Sequence, residues 1–364
     1  MHDIPILMLH TVNAEKEKNP LGVLSPLPEG FRSYLKVFKK WKYQMISMDD
    51  FVNNRYDKEK NFVVLTFDDG FKDNLTVALP ILKEFGARGT IFVNPDYVSH
   101  ESEKDGDWGF MTWDEIKQAE ESGVFDIQAH TMTHEFIFSS DKVVDYYTPD
   151  KFKKYYWLAW MLYPDAPRQW NSTANEYKEK IPTGYPIFEY ARRLSAKKFT
   201  PNQEYVEYLI KRYAEEKTQE PDDFAGEHGT YETDEEFTKY AVWEVDECKK
   251  VLEQRLNKEI HTLCFPGGGY TDEVLDIAKQ SGYKCYMRAS RLREGNNYEH
   301  LERMINGEFV GFNRTSFSII KIPMCSHGYS AKWITKLSLG TYQNKKFYVK
   351  MKKLMSKFFK SEKK

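Results

Sequence analysis

Two adjacent carboxylates, Asp68 and Asp69, close an apolar run in Thr66-Phe67-Asp68-Asp69-Gly70. Neighbouring side chains at a strand end point in different directions, so one can bind a cation while the other handles a proton. Asp-Gly is also ordinary turn chemistry, and the motif alone says no more than that. His130 and His134 lie four residues apart after a second apolar run. On a helical turn both rings reach one cation, and neutral imidazole is the commonest transition-metal ligand. Asp69, His130 and His134 together offer one oxygen and two nitrogens and leave room for water, the composition of an open catalytic site rather than a closed structural one. In Phe265-Pro266-Gly267-Gly268-Gly269-Tyr270 the glycines let backbone approach a substrate and present N–H groups to an oxyanion, or simply turn the chain into the next helix.

The elements that must position these residues follow from hydrophobic pattern. Short apolar runs at 4–9, 45–48, 62–67, 90–94, 125–129, 260–265 and 283–287 predict strands, and amphipathic stretches at 28–41, 74–85, 113–121, 235–256 and 272–280 predict helices. This alternation implies parallel strands with crossover helices. His10, Asp68 and Asp69, His130 and the Pro266 turn each fall just after a strand run. In a barrel those ends converge on one mouth, whereas in an open sheet they would spread along an edge. Between residues 135 and 235 the rhythm stops, and Tyr146, Tyr147, Tyr155, Tyr156, Trp157, Trp160, Tyr163, Trp170 and Tyr185 crowd a segment with helix-like pieces at 151–162 and 203–217. So long an insertion predicts a helical subdomain on the rim. The expected division is a first barrel part, 1–136, a mainly helical insertion, 137–236, a second barrel part, 237–320, and a C-terminal extension, 321–364.

Composition excludes several alternatives. With 364 residues, 41% hydrophobic, the chain can build a large core. A net charge of −2 gives the whole chain no electrostatic footprint for nucleic acid. Residues 341–364 stand apart, with nine lysines, one glutamate and helically spaced aromatics. A basic amphipathic helix of this kind suits peripheral contact with an anionic membrane face. Cys248, Cys264, Cys285 and Cys325 have no C-x-x-C spacing, and neither a signal h-region nor a membrane span is legible. The expected location is therefore cytoplasmic, at the inner face of the membrane if the tail engages it.

Thr66-Phe67-Asp68-Asp69-Gly70 and His130-Thr131-Met132-Thr133-His134, in this order and both at strand ends, resemble the first two motifs of the polysaccharide deacetylase family, the NodB-homology domain or carbohydrate esterase family 4. Met111-Thr112-Trp113-Asp114-Glu115 before the second motif agrees. The resemblance covers roughly residues 3–136 and 237–318. It implies a distorted (β/α)7 TIM-like barrel, α/β in class, with the insertion at its mouth. It implies a divalent metal, Zn²⁺ first, with Co²⁺, Ni²⁺ or Fe²⁺ compatible, and hydrolysis of N-acetyl groups on an amino sugar in a glycan or lipid-linked glycan precursor. Carried over, Asp69, His130 and His134 are the metal ligands, Asp68 is the general base, and the Gly267 N–H faces the oxyanion. Two positions depart from the pattern. Cys264 stands where the family usually has an arginine that orients the catalytic aspartate. The late strand ending in a histidine appears instead at the front, as Ile6-Leu7-Met8-Leu9-His10, which resembles the circularly permuted branch and makes His10 the general acid, with His327 its competitor. Other readings are a deformylase or amidohydrolase acting on another amide, and a catalytically silent carbohydrate-binding barrel.

Overall fold

The computed structural model describes residues 6–12, 26–98, 109–163, 166, 175–218, 220–291, 299–305 and 308–316. The expected extension 321–364, its tail 341–364, His327 and Cys325 lie outside the described residues.

Strand β1, Ile6–Leu9, is buried throughout. β2, Gln44–Ile46, is short, and β3, Phe62–Phe67, is buried from Val63 onward. β4, Gly89–Val93, and β5, Phe125–Ala129, are wholly buried. Continuous apolar runs of this kind belong to parallel strands covered on both faces. The helices between them carry the matching stripe. Pro28–Lys40 opens with proline and Glu29, ends in Lys39 and Lys40, and buries Phe31, Tyr34, Leu35 and Phe38, a 3-4-7 spacing that turns one face inward. Trp113–Glu121 starts at a capping box in which Thr112 accepts from the Glu115 amide and Glu115 returns the bond.

After β5 the chain leaves the barrel through β6, Phe136–Tyr146, and returns through β7, Pro186–Arg192, its antiparallel partner. β8, Phe199–Pro201, and β9, Gly229–Tyr231, form a second antiparallel pair. The barrel resumes with β10, Thr262–Cys264, β11, Cys285–Arg291, β12, Glu299–Ile305, and β13, Glu308–Ser316. Parallel pairings link β1 to β3, β3 to β4, β4 to β5, β5 to β10 and β10 to β11. β12 joins β11 and β13 antiparallel, and β13 lies parallel to β1. The pairings thus return to their start, and β2 flanks the first half of β3. This is the expected α/β barrel, curled from a mostly parallel sheet.

Three local features differ from expectation. The insertion is not mainly helical, since β6–β7 and β8–β9 accompany its helices Phe152–Tyr155, Trp157–Leu162, Asn175–Lys178 and Gln203–Ala214. The register of β6 against β7 shifts between Phe138 and Val143 and again before Asp145; such bulges erase the alternation that would have announced a strand. The expected helix 235–256 is two helices, Asp234–Val242 and Cys248–Leu256, joined by a π-helical turn at Trp243–Glu247, and the 74–85 helix likewise begins with a π turn at Asn74–Ala78. The hairpin β12–β13 was not anticipated from the sequence. Most aromatics of the insertion join one cluster with Phe71, Tyr97 and Phe110 of the barrel, in which Tyr147, Tyr155, Trp157, Trp160 and Phe188 are buried. Among the described residues no helix is long and apolar enough to cross a membrane.

Candidate metal centre and active site

Asp68 and Asp69 leave β3 at its carboxyl end, and the Asp68 N–H donates to the Leu9 carbonyl at 2.8 Å, tying the turn to β1. Asp69 and Gly70 both take positive φ, 75° and 72°. Aspartate tolerates that region better than most residues, and a Cβ on Gly70 would meet Val93 Cγ2 at 3.3 Å. The double left-handed turn buries both carboxylates.

The second motif is held more elaborately. Thr131, β-branched, has a φ of 64°, a conformation that persists only where surroundings over-determine it. Here they do. Asn94, at the end of β4, donates its Nδ2 to the carbonyls of His130, Thr131 and Thr133, and the Thr131 hydroxyl donates to the Thr133 carbonyl at 2.6 Å. From the π turn behind, Glu244 accepts the Thr133 N–H at 2.9 Å and pairs with its hydroxyl. The Glu244 carbonyl accepts the Met132 N–H. Burial pushes the Glu244 carboxyl up to about 7, with the bonds from Thr133 opposing the rise.

These supports bring the expected ligands together. Asp69 Oδ1 lies 3.4 Å from His130 Nε2 and 3.7 Å from His134 Nε2, and Asp69 Oδ2 lies 3.8 Å from His10 Nε2. Both Asp69 oxygens are buried and accept no hydrogen bond, a costly condition for a carboxylate unless a cation fills the space. Burial alone would raise the Asp69 carboxyl, but the imidazoles of His134, His130 and His10 outweigh it and hold the group well below the usual range. His130 Nδ1 donates to the Cys264 carbonyl at 2.6 Å, the arrangement that orients metal-ligating histidines through their second nitrogen. Burial works to lower His130, yet Cys264, the contact with Asp69 and the charge of Asp68 raise it above its ordinary value. The donor set therefore suits a divalent ion such as zinc.

His134 is arranged differently. Its Nδ1 lies 2.8 Å from Arg192 Nη1. A guanidinium only donates, so Nδ1 accepts and the proton of the neutral ring sits on Nε2. Burial first, then the Arg192 charge, push this histidine well below its ordinary value. Presenting Nε2 to a cation requires the proton to move to Nδ1 and Arg192 to turn aside.

His10 follows β1 and is buried at the same mouth, its loop fixed where Asn74 donates to the His10 carbonyl at 2.9 Å and Val12 N–H donates to Asp73 at 2.8 Å. Gly267 adopts a φ of 58°, and a Cβ there would stand 2.7 Å from Arg192 Nε. All six expected site residues thus sit around one barrel mouth. Arg192, Glu244 and Asn94 were missed by sequence reasoning, as was any site role for Tyr156, a half-buried residue whose phenol is raised by desolvation and feels both Arg192 and Asp69. No spacing rule points to them, because each arrives from an element remote in sequence from the motifs.

A second acidic group, Asp49, Asp126 and His261, also clusters within ligand reach, but at the opposite strand ends. Its charges are already matched: Lys258 lies 2.7 Å from Asp126 and Arg55 pairs with Asp49. It is a structural ion network.

The family model for polysaccharide deacetylases matches residues 55–156, the segment that carries both motifs. Over that segment the chain is similar to the polysaccharide deacetylases. YxkH of Bacillus subtilis (strain 168), a relative named after the same family, is 30% identical over 135 residues, 36% of this chain and 43% of that protein's length. Among solved structures, a de-N-acetylase from Aggregatibacter actinomycetemcomitans aligns with a TM-score of 0.49 and 18% identity, covering 78% of this chain and 86% of its own. IcaB from Ammonifex degensii gives 0.45 and 14%, covering 79% and 83%.

Proposed function

We propose that the chain is a metal-dependent hydrolase that removes N-acetyl groups from an amino sugar within a glycan. The observation that carries this reading is the buried Asp69 carboxylate, without hydrogen bonds, facing the Nε2 atoms of His130 and His134 beside a second buried carboxylate, Asp68. An amide resists water because its carbonyl is a poor electrophile and its amine a poor leaving group. A divalent cation held by Asp69, His130 and His134 would supply Lewis acidity to the carbonyl and acidify the attacking water. Asp68 takes the proton of that water as it adds to the acetyl carbon. The Gly267 N–H faces the oxygen on which negative charge grows. His10 gives a proton to the nitrogen as the C–N bond breaks, so that acetate and a free amine leave. The two roles need Asp68 to enter the reaction as a carboxylate and His10 to carry the proton it delivers.

The test is product analysis by mass spectrometry on N-acetylated and N-formylated glucosamine oligomers incubated with the zinc-loaded chain. Conversion of the N-acetyl oligomer to its free amine is expected; conversion of the N-formyl oligomer alone would transfer the activity to a deformylase.

A further inference from the structure

We propose that Arg192, delivered by the insertion, stabilises the negative charge that develops on the acetyl oxygen, and that it rests on His134 until a cation claims that ring. The inference deepens the deacetylase reading and rests on it. Strand register fixes the residue's place: Arg192 pairs with Phe136, two positions beyond His134, and the adjoining Arg193 N–H donates to the Glu135 carbonyl at 3.1 Å. The Ser195 hydroxyl closes the turn on the Arg192 carbonyl at 2.7 Å. The guanidinium carbon lies 3.8 Å from the centre of the Phe136 ring, which orients the group without consuming its N–H donors. On the other side, a Cβ on Gly267 would fall 2.7 Å from Arg192 Nε and 3.4 Å from Cζ, so the turn lies along the guanidinium, and its φ of 58° suits glycine. The charge is therefore wedged between a metal-ligand histidine and the turn expected to face the oxyanion.

The present partner of Nη1 is one that a loaded site cannot keep. With Nε2 of His134 on a cation, the neutral ring carries its proton on Nδ1, and two donors would then face each other across 2.8 Å. Arg192 must release that nitrogen, and the freed N–H lies in the gap between His134 and Gly267. A charge-assisted bond from a guanidinium is about twice as strong as one between neutral groups. Arg192 neither gains nor loses a proton in this role. Cys264, at the position where an arginine was expected, carries no such charge; Arg192 comes instead from the insertion.

The experiment compares the full zinc-loaded chain with Arg192→Met, which keeps an unbranched side chain but loses the charge, and with Arg192→Lys and Arg192→Ala. Acetate release from N-acetylglucosamine oligomers should fall about 10²- to 10³-fold in kcat for Arg192→Met, the cost of losing one oxyanion donor, with KM changed only a few-fold. Lysine should restore part of the rate, and added guanidinium ion should accelerate Arg192→Ala. Independently of activity, calorimetry should find zinc bound at least as tightly by Arg192→Met as by wild type. Nitrogen-15 NMR of His134 should show its proton moving from Nε2 to Nδ1 on zinc addition. An active wild type with an equally active Arg192→Met variant overturns the role while leaving the deacetylase reading intact, and loss of zinc from the variant assigns Arg192 to the metal site instead. A wild type that releases no acetate overturns the deacetylase reading and this role with it.

Discussion

Replacing Glu244 with glutamine should change how stability depends on pH, not simply how large it is. The Glu244 carboxyl is 1% exposed, and burial raises it from 4.5 to about 7 against the opposing bonds from Thr133. Between those two values the folded chain holds a proton that the unfolded chain has released. Folded-state proton binding then exceeds unfolded, and stability falls as pH rises through the window, levelling above the folded value. At about 1.4 kcal/mol per unit, the span is worth about 3 kcal/mol. Glutamine copies the protonated form: its carbonyl can accept the Thr133 N–H and its amide can donate to the Thr133 hydroxyl, replacing both contacts of Glu244 with Thr133. Denaturant unfolding of the zinc-stripped chain should therefore give stabilities within about 1 kcal/mol of each other for wild type and Glu244→Gln at pH 5, and a variant more stable by up to about 3 kcal/mol at pH 8. Parallel profiles across that range would refute the reasoning, because they would mean that Glu244 titrates alike in both states.

Three further outcomes follow from the site. His130→Ala or His134→Ala should bind zinc far more weakly than wild type by calorimetry, and stoichiometric binding with unchanged affinity would remove that residue from the ligand set. His10→Ala should keep its zinc while acetate release falls about 10²-fold or more, the usual cost of losing a general acid; full activity would free His10 of the role. Gly267→Ala places a Cβ 2.7 Å from Arg192 Nε at a φ of 58°, a conformation costing a non-glycine residue about 1 kcal/mol or more, so turnover should drop with zinc binding intact, and a fully active variant would show that the turn does not face the reacting carbonyl.

The barrel was legible because its strands are buried on both faces and its helices on one, so burial wrote itself into apolar runs and stripes; β3, β5 and the helix Trp113–Glu121 have the bounds expected of them. That the six expected site residues share one mouth was legible for a related reason, since a parallel barrel brings the carboxyl ends of its strands together. Legibility failed where geometry depends on tertiary register. The bulged β6 has no alternation to read, and the π turn that aims Glu244 at Thr133 looks in sequence like continuous helix. Arg192 is the clearest case: its place beside His134 follows from pairing with Phe136 across more than fifty residues of insertion, which no local pattern encodes.

The central claim is that Asp69, His130 and His134 hold a metal that lets Asp68 drive de-N-acetylation. The most direct measurement is acetate release from N-acetylglucosamine oligomers by the zinc-stripped chain, by the same chain after zinc is restored, and by zinc-loaded Asp68→Asn, with zinc content determined in each. The account predicts release only after zinc is restored to the wild type, and an Asp68→Asn chain that carries stoichiometric zinc but is slower by about 10²-fold or more. Equal release by the stripped chain, or by Asp68→Asn, would contradict it.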